Sequence, residues 1–94
     1  MPAELFIYRG KTGQARTPGQ LRDVLSAAGL SCQLEPDKYG VWLVFDGGLT
    51  NINLTVEADG TASSALVHTE DITGRLDRLL GVFSELGWQV ADTF

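Results

Sequence analysis

From residue 31 to residue 68 the chain is written in a period of two, and that period leaves it few folds to choose from. Cys32 and Leu34 alternate with Ser31, Gln33 and Glu35. Tyr39, Val41, Leu43 and Phe45 share one parity, with Trp42 and Val44 on the other. Ile52, Leu54 and Val56 alternate with Asn51, Asn53, Thr55 and Glu57. Successive side chains of a strand point to opposite faces, so the spacing predicts a run of half-buried strands. Pro36-Asp37-Lys38, Asp46-Gly47-Gly48 and Asp59-Gly60 supply the turns, the last leading into a further strand over 62–68. Strands joined by such short connections favour an antiparallel meander.

The turns also predict a register. If Gly47-Gly48 and Asp59-Gly60 each close a two-residue loop, Leu43 faces Ile52, Val41 faces Leu54, Leu54 meets Ala65 and Ile52 meets Val67 on one side of the sheet. The other side then carries two rows, Trp42-Asn53-Leu66 and Val44-Asn51-His68. The two registers support each other, because every clearly apolar residue of the middle strand lands beside apolar partners.

Helical signals flank this block. Thr17-Pro18-Gly19-Gln20 holds a cap, a first-turn proline and the glutamine of a capping box. Leu21, Val24, Leu25 and Ala28 follow at helical spacing and Gly29 is placed to end the helix, which is predicted over 18–28. A second helix is predicted near 70–86, opening at Thr69-Glu70-Asp71, with Ile72, Leu76, Leu79, Leu80, Phe83 and Leu86 as its apolar stripe and Asp71 four residues before Arg75. Gly74 and Gly81 each cost that helix up to about 1 kcal/mol, which suggests close packing against the sheet. Leu5-Phe6-Ile7-Tyr8, apolar on both faces, reads as a first strand, and Trp88-Gln89-Val90-Ala91-Asp92, after the helix-ending Gly87, as a last one.

The predicted order is therefore β-α-β-β-β-β-α-β. The expected fold is α+β: a two-layer α/β sandwich with a mainly antiparallel sheet and both helices on one face. Ninety-four residues suit one domain, spanning 1–94.

Composition narrows function mostly by exclusion. The longest apolar run, Val41-Trp42-Leu43-Val44-Phe45, is far short of the roughly 20 residues of a membrane span. No basic flank precedes a long apolar stretch, so no signal peptide is expected, and a cytoplasmic location is the default. A single cysteine, Cys32, precludes an internal disulfide framework and is read as a small core residue. The net charge is −5, and every carboxylate except Glu4 lies beyond residue 22, where Arg9, Lys11, Arg16 and Arg22 make the start of the chain slightly basic. An acidic body disfavours general nucleic-acid binding, and such charge serves solubility on its own account.

Candidate chemistry is sparse. Gly10-Lys11-Thr12 after a strand resembles part of a phosphate loop, but that motif needs a glycine where this chain has Leu5, and the helix begins only at Pro18. The weaker expectation is an anion contact by Arg9, Lys11 and Arg16. His68, Glu70 and Asp71 offer one imidazole among oxygen ligands, a poor match to a catalytic zinc, so no metal and no cofactor are expected. A Cys32–His68 nucleophile pair requires the fold to bring them together. Asn53-Leu54-Thr55 matches a glycosylation triplet within a strand, and Ser63-Ser64 has no nucleophile-elbow pattern. No catalytic residue is assigned.

The unusual constellation is the second sheet face: Trp42, Val44, Asn51, Asn53, Leu66 and His68. Apolar groups around two asparagines form neither an ordinary wet face nor an ordinary core. Either a partner covers it, or the terminal strands or a loop of the same chain do. The reading that follows is a small, acidic, non-enzymatic protein-interaction module, a regulator, inhibitor or immunity-type protein that associates with itself as a homodimer or binds a protein partner. The alternative is a small-ligand-binding domain using the Trp42/His68 face and the basic loop 9–16.

Overall fold

The computed structural model describes residues 3–38, 40–45, 50–70 and 74–91. Their order is β1 (Ala3–Tyr8), α1 (Pro18–Ala27), β2 (Cys32–Asp37), β3 (Gly40–Phe45), β4 (Thr50–Val56), β5 (Ala62–Thr69), α2 (Gly74–Glu85) and β6 (Gln89–Ala91). The six strands form one antiparallel sheet in the order β2-β3-β4-β5-β1-β6. β2 to β5 are the predicted meander. β1 and β6 lie beyond β5 at its far edge.

Local chemistry accounts for α1 closely. The Thr17 hydroxyl accepts from the Gln20 backbone N–H at 3.2 Å while the Gln20 side chain accepts from the Thr17 N–H at 2.9 Å. Pro18 occupies the first turn, where its missing N–H has no partner to lose. The helix closes at Ala28, followed by Gly29 at φ +84°, a conformation only glycine adopts cheaply.

The α2 expectations need correction. Thr69 is the last residue of β5, bonding Thr50 hydroxyl to hydroxyl at 3.0 Å, and Glu70 lies in a bend, so neither opens the helix. The described helix starts at Gly74; Asp71 and Ile72 fall outside the described residues, as does the Asp71–Arg75 pair. Gly81 is exposed and a Cβ built there meets nothing within 4 Å, so close packing does not explain it. Trp88 precedes β6 and is buried, its ring 5.3 Å from that of Phe83 and its Nε1 donating to the Gln14 carbonyl at 3.0 Å.

The predicted registers hold: Val41↔Leu54, Trp42↔Asn53, Leu43↔Ile52 and Val44↔Asn51 between β3 and β4, and Asn51↔His68, Ile52↔Val67, Asn53↔Leu66 and Leu54↔Ala65 between β4 and β5. Gly47-Gly48 lies outside the described residues. The second hairpin is not closed by two residues. The Glu57 N–H donates to the Thr61 carbonyl, leaving Ala58-Asp59-Gly60 as the loop with Gly60 at φ +87°. The ladder shifts between Thr55 and Val56, where Thr55 pairs with Ser64 but Val56 with Ala62, and this bulge restores the predicted partners further along.

One face of the sheet and both helices share a single core. Ile7, Cys32, Leu43, Phe45, Ile52, Leu54, Ala65 and Val67 from the strands pack with Leu21 and Leu25 of α1 and Leu79 and Phe83 of α2. The architecture is thus the expected two-layer α+β sandwich.

Candidate functional site

Because the helices occupy one side, the strand residues of opposite parity form a second face that no described helix or strand lies over. The ladders place its side chains in three rows. The first runs Ala91, Phe6, Leu66, Asn53, Trp42, Glu35. The second runs Glu4, His68, Asn51, Val44, Gln33. The third carries Gln89, Tyr8 and Ser64, with Thr55 beside Ser64 on β4, and Asp37 on β2. All six residues singled out from the sequence stand together here. The terminal strands do not fold over them; β1 and β6 extend the sheet edge to edge and enlarge the face.

Phe6 and Tyr8 were missed. Both belong to a strand read as apolar on both faces. That double-sided pattern was the available signal, since only one of those faces can serve the core. Their rings stack at a centroid distance of 6.2 Å, and the Tyr8 hydroxyl donates to Gln89 Oε1 at 2.7 Å. Carboxylates stand at parts of the face's margin, Glu4 on β1 and Glu35 and Asp37 on β2, while Ala91 and Gln89 end it on β6.

Trp42 on β3 and His68 on β5 are separated by β4, yet their ring centroids are 5.8 Å apart. Strands are spaced about 4.8 Å apart, so both rings must lean inward over β4, where Asn51 and Asn53 project. Trp42 Nε1 donates to Asp37 Oδ2 at 2.9 Å, and His68 Nδ1 lies 3.9 Å from Glu4 Oε1. Under this roof Asn51 Oδ1 is enclosed and accepts no hydrogen bond from the described residues. Trp42, Val44, Phe6, Tyr8 and Leu66 are each half-buried.

The basic loop is held by structure rather than displayed. The Gly13 N–H donates to the Arg9 carbonyl and the Gln14 N–H to the Leu86 carbonyl, and the Thr12 hydroxyl donates to the Gly87 carbonyl at 3.0 Å. A Cβ on Gly87, at φ +79°, would come within 2.4 Å of the Thr12 carbonyl oxygen, so the loop docks directly on that turn. These amides are turned inward and not toward a phosphate. Arg9 and Arg16 are both tied to residues 61–63: Arg9 donates its backbone N–H to the Ser63 carbonyl and its Nη1 to the Thr61 hydroxyl at 3.0 Å, while the Arg16 carbonyl accepts from the Ala62 N–H and its Nη2 donates to Gln14 Oε1. Lys11 is exposed and does not join them. Beside them Asp59 Oδ1 accepts from the Thr61 hydroxyl at 2.7 Å and from its N–H at 2.9 Å. These bonds, the hydroxyl's first, hold the Asp59 carboxyl below its ordinary range, with the Arg9 charge adding to them.

The other candidates are dispersed. Cys32 is buried on the helix side of β2 and His68 stands on the opposite face of β5, so they form no nucleophile pair. Glu70 is exposed beyond the end of β5 and Asp71 falls outside the described residues. Among the described residues no group of three or more His, Cys, Asp and Glu side chains is placed to hold a metal ion, and no helix is long and apolar enough to cross a membrane.

Fold and site together define an α+β protein with one sheet face given to its core and the other left open. Comparison of the chain with protein-family models, curated proteins and solved structures finds no match.

Proposed function

We propose that this chain is a small acidic protein-interaction module without catalytic activity, a regulator, inhibitor or immunity-type protein, which associates with itself through the open sheet face. The observation that carries this reading is the row from Phe6 through Leu66 and Asn53 to Trp42, extended by Tyr8 and Val44, which no described helix or strand overlies. Each Å² of such surface taken out of water contributes roughly 25 cal/mol, so a partner gains by covering it. A centre without Lys, Arg or carboxylates, with aromatic side chains inside a polar margin, is the composition of interface cores.

The alternative, a small-ligand site using the Trp42/His68 face and loop 9–16, has weaker support, because Thr61 and Gln14 already engage Arg9 and Arg16. The test is the mass in solution by sedimentation equilibrium. The expected result is a dimer for the natural chain and a folded monomer for Trp42→Glu, which puts a charge in the middle of the contact. A folded Trp42→Glu chain that remains dimeric at the same concentration overturns the assignment of the face.

A further inference from the structure

We infer that the open face takes a basic protein segment whose arginines lie on its aromatic side chains and pair with the carboxylates at its margin, displacing the second copy; this rests on the reading of that face as a contact surface.

The charges of the described residues are sorted between the two layers. The three rows of the open face hold Glu4, Glu35 and Asp37 and no Lys or Arg. Cations stand off the face: Arg22 lies 3.2 Å from Asp23 on α1, Arg78 holds the carbonyl at the end of α1, Arg9 and Arg16 are tied to residues 61–63, and Lys38 follows the last residue of β2. The chain as a whole carries a net charge of −5. A second copy can cover the apolar centre, but it brings only further carboxylates to the margin. A basic partner covers the same centre and neutralises the margin as well, so charge complementarity selects it and steers its approach.

Each side of the face also sets an aromatic ring beside an acid. On β3, Trp42 stands opposite Glu35 in the register, and Asp37 Oδ2 fixes the ring by accepting from its Nε1 at 2.9 Å. On β1, Phe6 shares the face with Glu4 two residues away and stacks with Tyr8 at 6.2 Å. The three rings are half-buried, and Glu4 and Glu35 are exposed. A guanidinium is planar, stacks on an aromatic ring and bonds a carboxylate through two N–H groups, which an ammonium does not. Arginine is therefore the cation this arrangement fits. Trp42 and Phe6 are three strand spacings apart, so the partner's two arginines stand about 14 Å from each other, the reach of about four extended residues.

The probe is fluorescein-labelled nona-arginine, long enough to reach both positions, with nona-lysine as control, each titrated at low and at physiological salt. The natural chain is expected to bind nona-arginine the more tightly, and to lose about tenfold in affinity with Glu4→Gln and Glu35→Gln together. Asp77→Asn with Glu85→Gln removes the same charge from exposed positions of α2, and is expected to cost less than about twofold. Trp42→Leu is expected to abolish the preference for arginine, with urea melts confirming that each variant is folded. In sedimentation equilibrium the probe is expected to convert the dimer to a complex of a single chain. Equal losses from the two double variants show attraction to overall charge alone and overturn the inference while self-association stands. A dimer that binds the probe without dissociating has the same consequence. A natural chain that is monomeric without the probe, yet binds it through Glu4 and Glu35, overturns self-association and leaves the inference standing. Absence of binding at low salt overturns the inference, as does a Trp42→Leu chain that keeps the preference for arginine.

Discussion

Gly81 occupies an exposed position inside α2, and a methyl group there meets nothing within 4 Å. Glycine in a helix interior costs about 1 kcal/mol relative to alanine, chiefly through the freedom it gives the unfolded chain. Gly81→Ala is therefore expected to stabilise by about 0.5–1 kcal/mol in urea melts. Gly29 is the opposite case. It sits at φ +84°, so a side chain there is strained by the backbone, although its would-be Cβ meets only the movable end of Arg78, 2.7 Å away at Nη2. Asp59 supplies a residue-scale pH dependence. Its folded pKa is lowered, so the ionised carboxylate is the form the hairpin stabilises. That contribution is present above the unfolded value of about 4 and is lost as the pH falls through the lower folded value. Asp59→Asn is expected to be less stable than the natural chain at neutral pH, the difference shrinking on acidification, as measured by urea melts across pH.

At the scale of elements, the two helices are tied at one point by Arg78 of α2, whose Nη2 donates to the Ala28 carbonyl at 2.9 Å. Ala28 caps the C-terminal, negative end of α1, and a cation there satisfies both an unpaired carbonyl and the helix dipole. Arg78→Met keeps much of the stem but removes that donor, and is expected to cost about 0.5–1.5 kcal/mol, read in the same melts. How well each element was legible follows from how local its cause is. The Thr17–Gln20 box and the β3–β4–β5 register come from residues near one another in sequence, and both were readable. The three-residue loop at 58–60 was not, because the bulge beside Val56 compensates for it and leaves the downstream partners unchanged. The positions of β1 and β6 were not readable either: long helical crossovers separate them from the meander, and nothing in Leu5-Phe6-Ile7-Tyr8 names β5 as a neighbour. Half of the open face was therefore legible as Trp42, Val44, Asn51, Asn53, Leu66 and His68, and the half contributed by Phe6 and Tyr8 was not.

At the scale of the whole molecule, α1 bridges from β1 near one edge of the sheet to β2 at the other, while α2 crosses from β5 to β6. The helices thus reach all parts of the sheet and share one core with it, so no part of the described fold can lose its packing alone. Leu54, mid-sheet on β4, and Leu79, on the buried stripe of α2, are both fully enclosed in that core. Truncating either to alanine removes transfer energy and leaves a cavity, at a cost of about 2–5 kcal/mol. For a domain this size total stability is about 5–15 kcal/mol, and each kcal/mol lost lowers Tm by about 4–8 °C. Leu54→Ala and Leu79→Ala are expected to lower one and the same transition, with far-ultraviolet circular dichroism and Trp88 fluorescence moving together; Trp42→Phe removes the other tryptophan signal for this experiment. If Leu79→Ala shifted the fluorescence of Trp88 at a lower temperature than the loss of strand structure, α2 would be melting off a surviving sheet. If Leu54→Ala left Tm unchanged, the buried side of the sheet would be the face bearing Trp42, and the open face would have to be sought on the other.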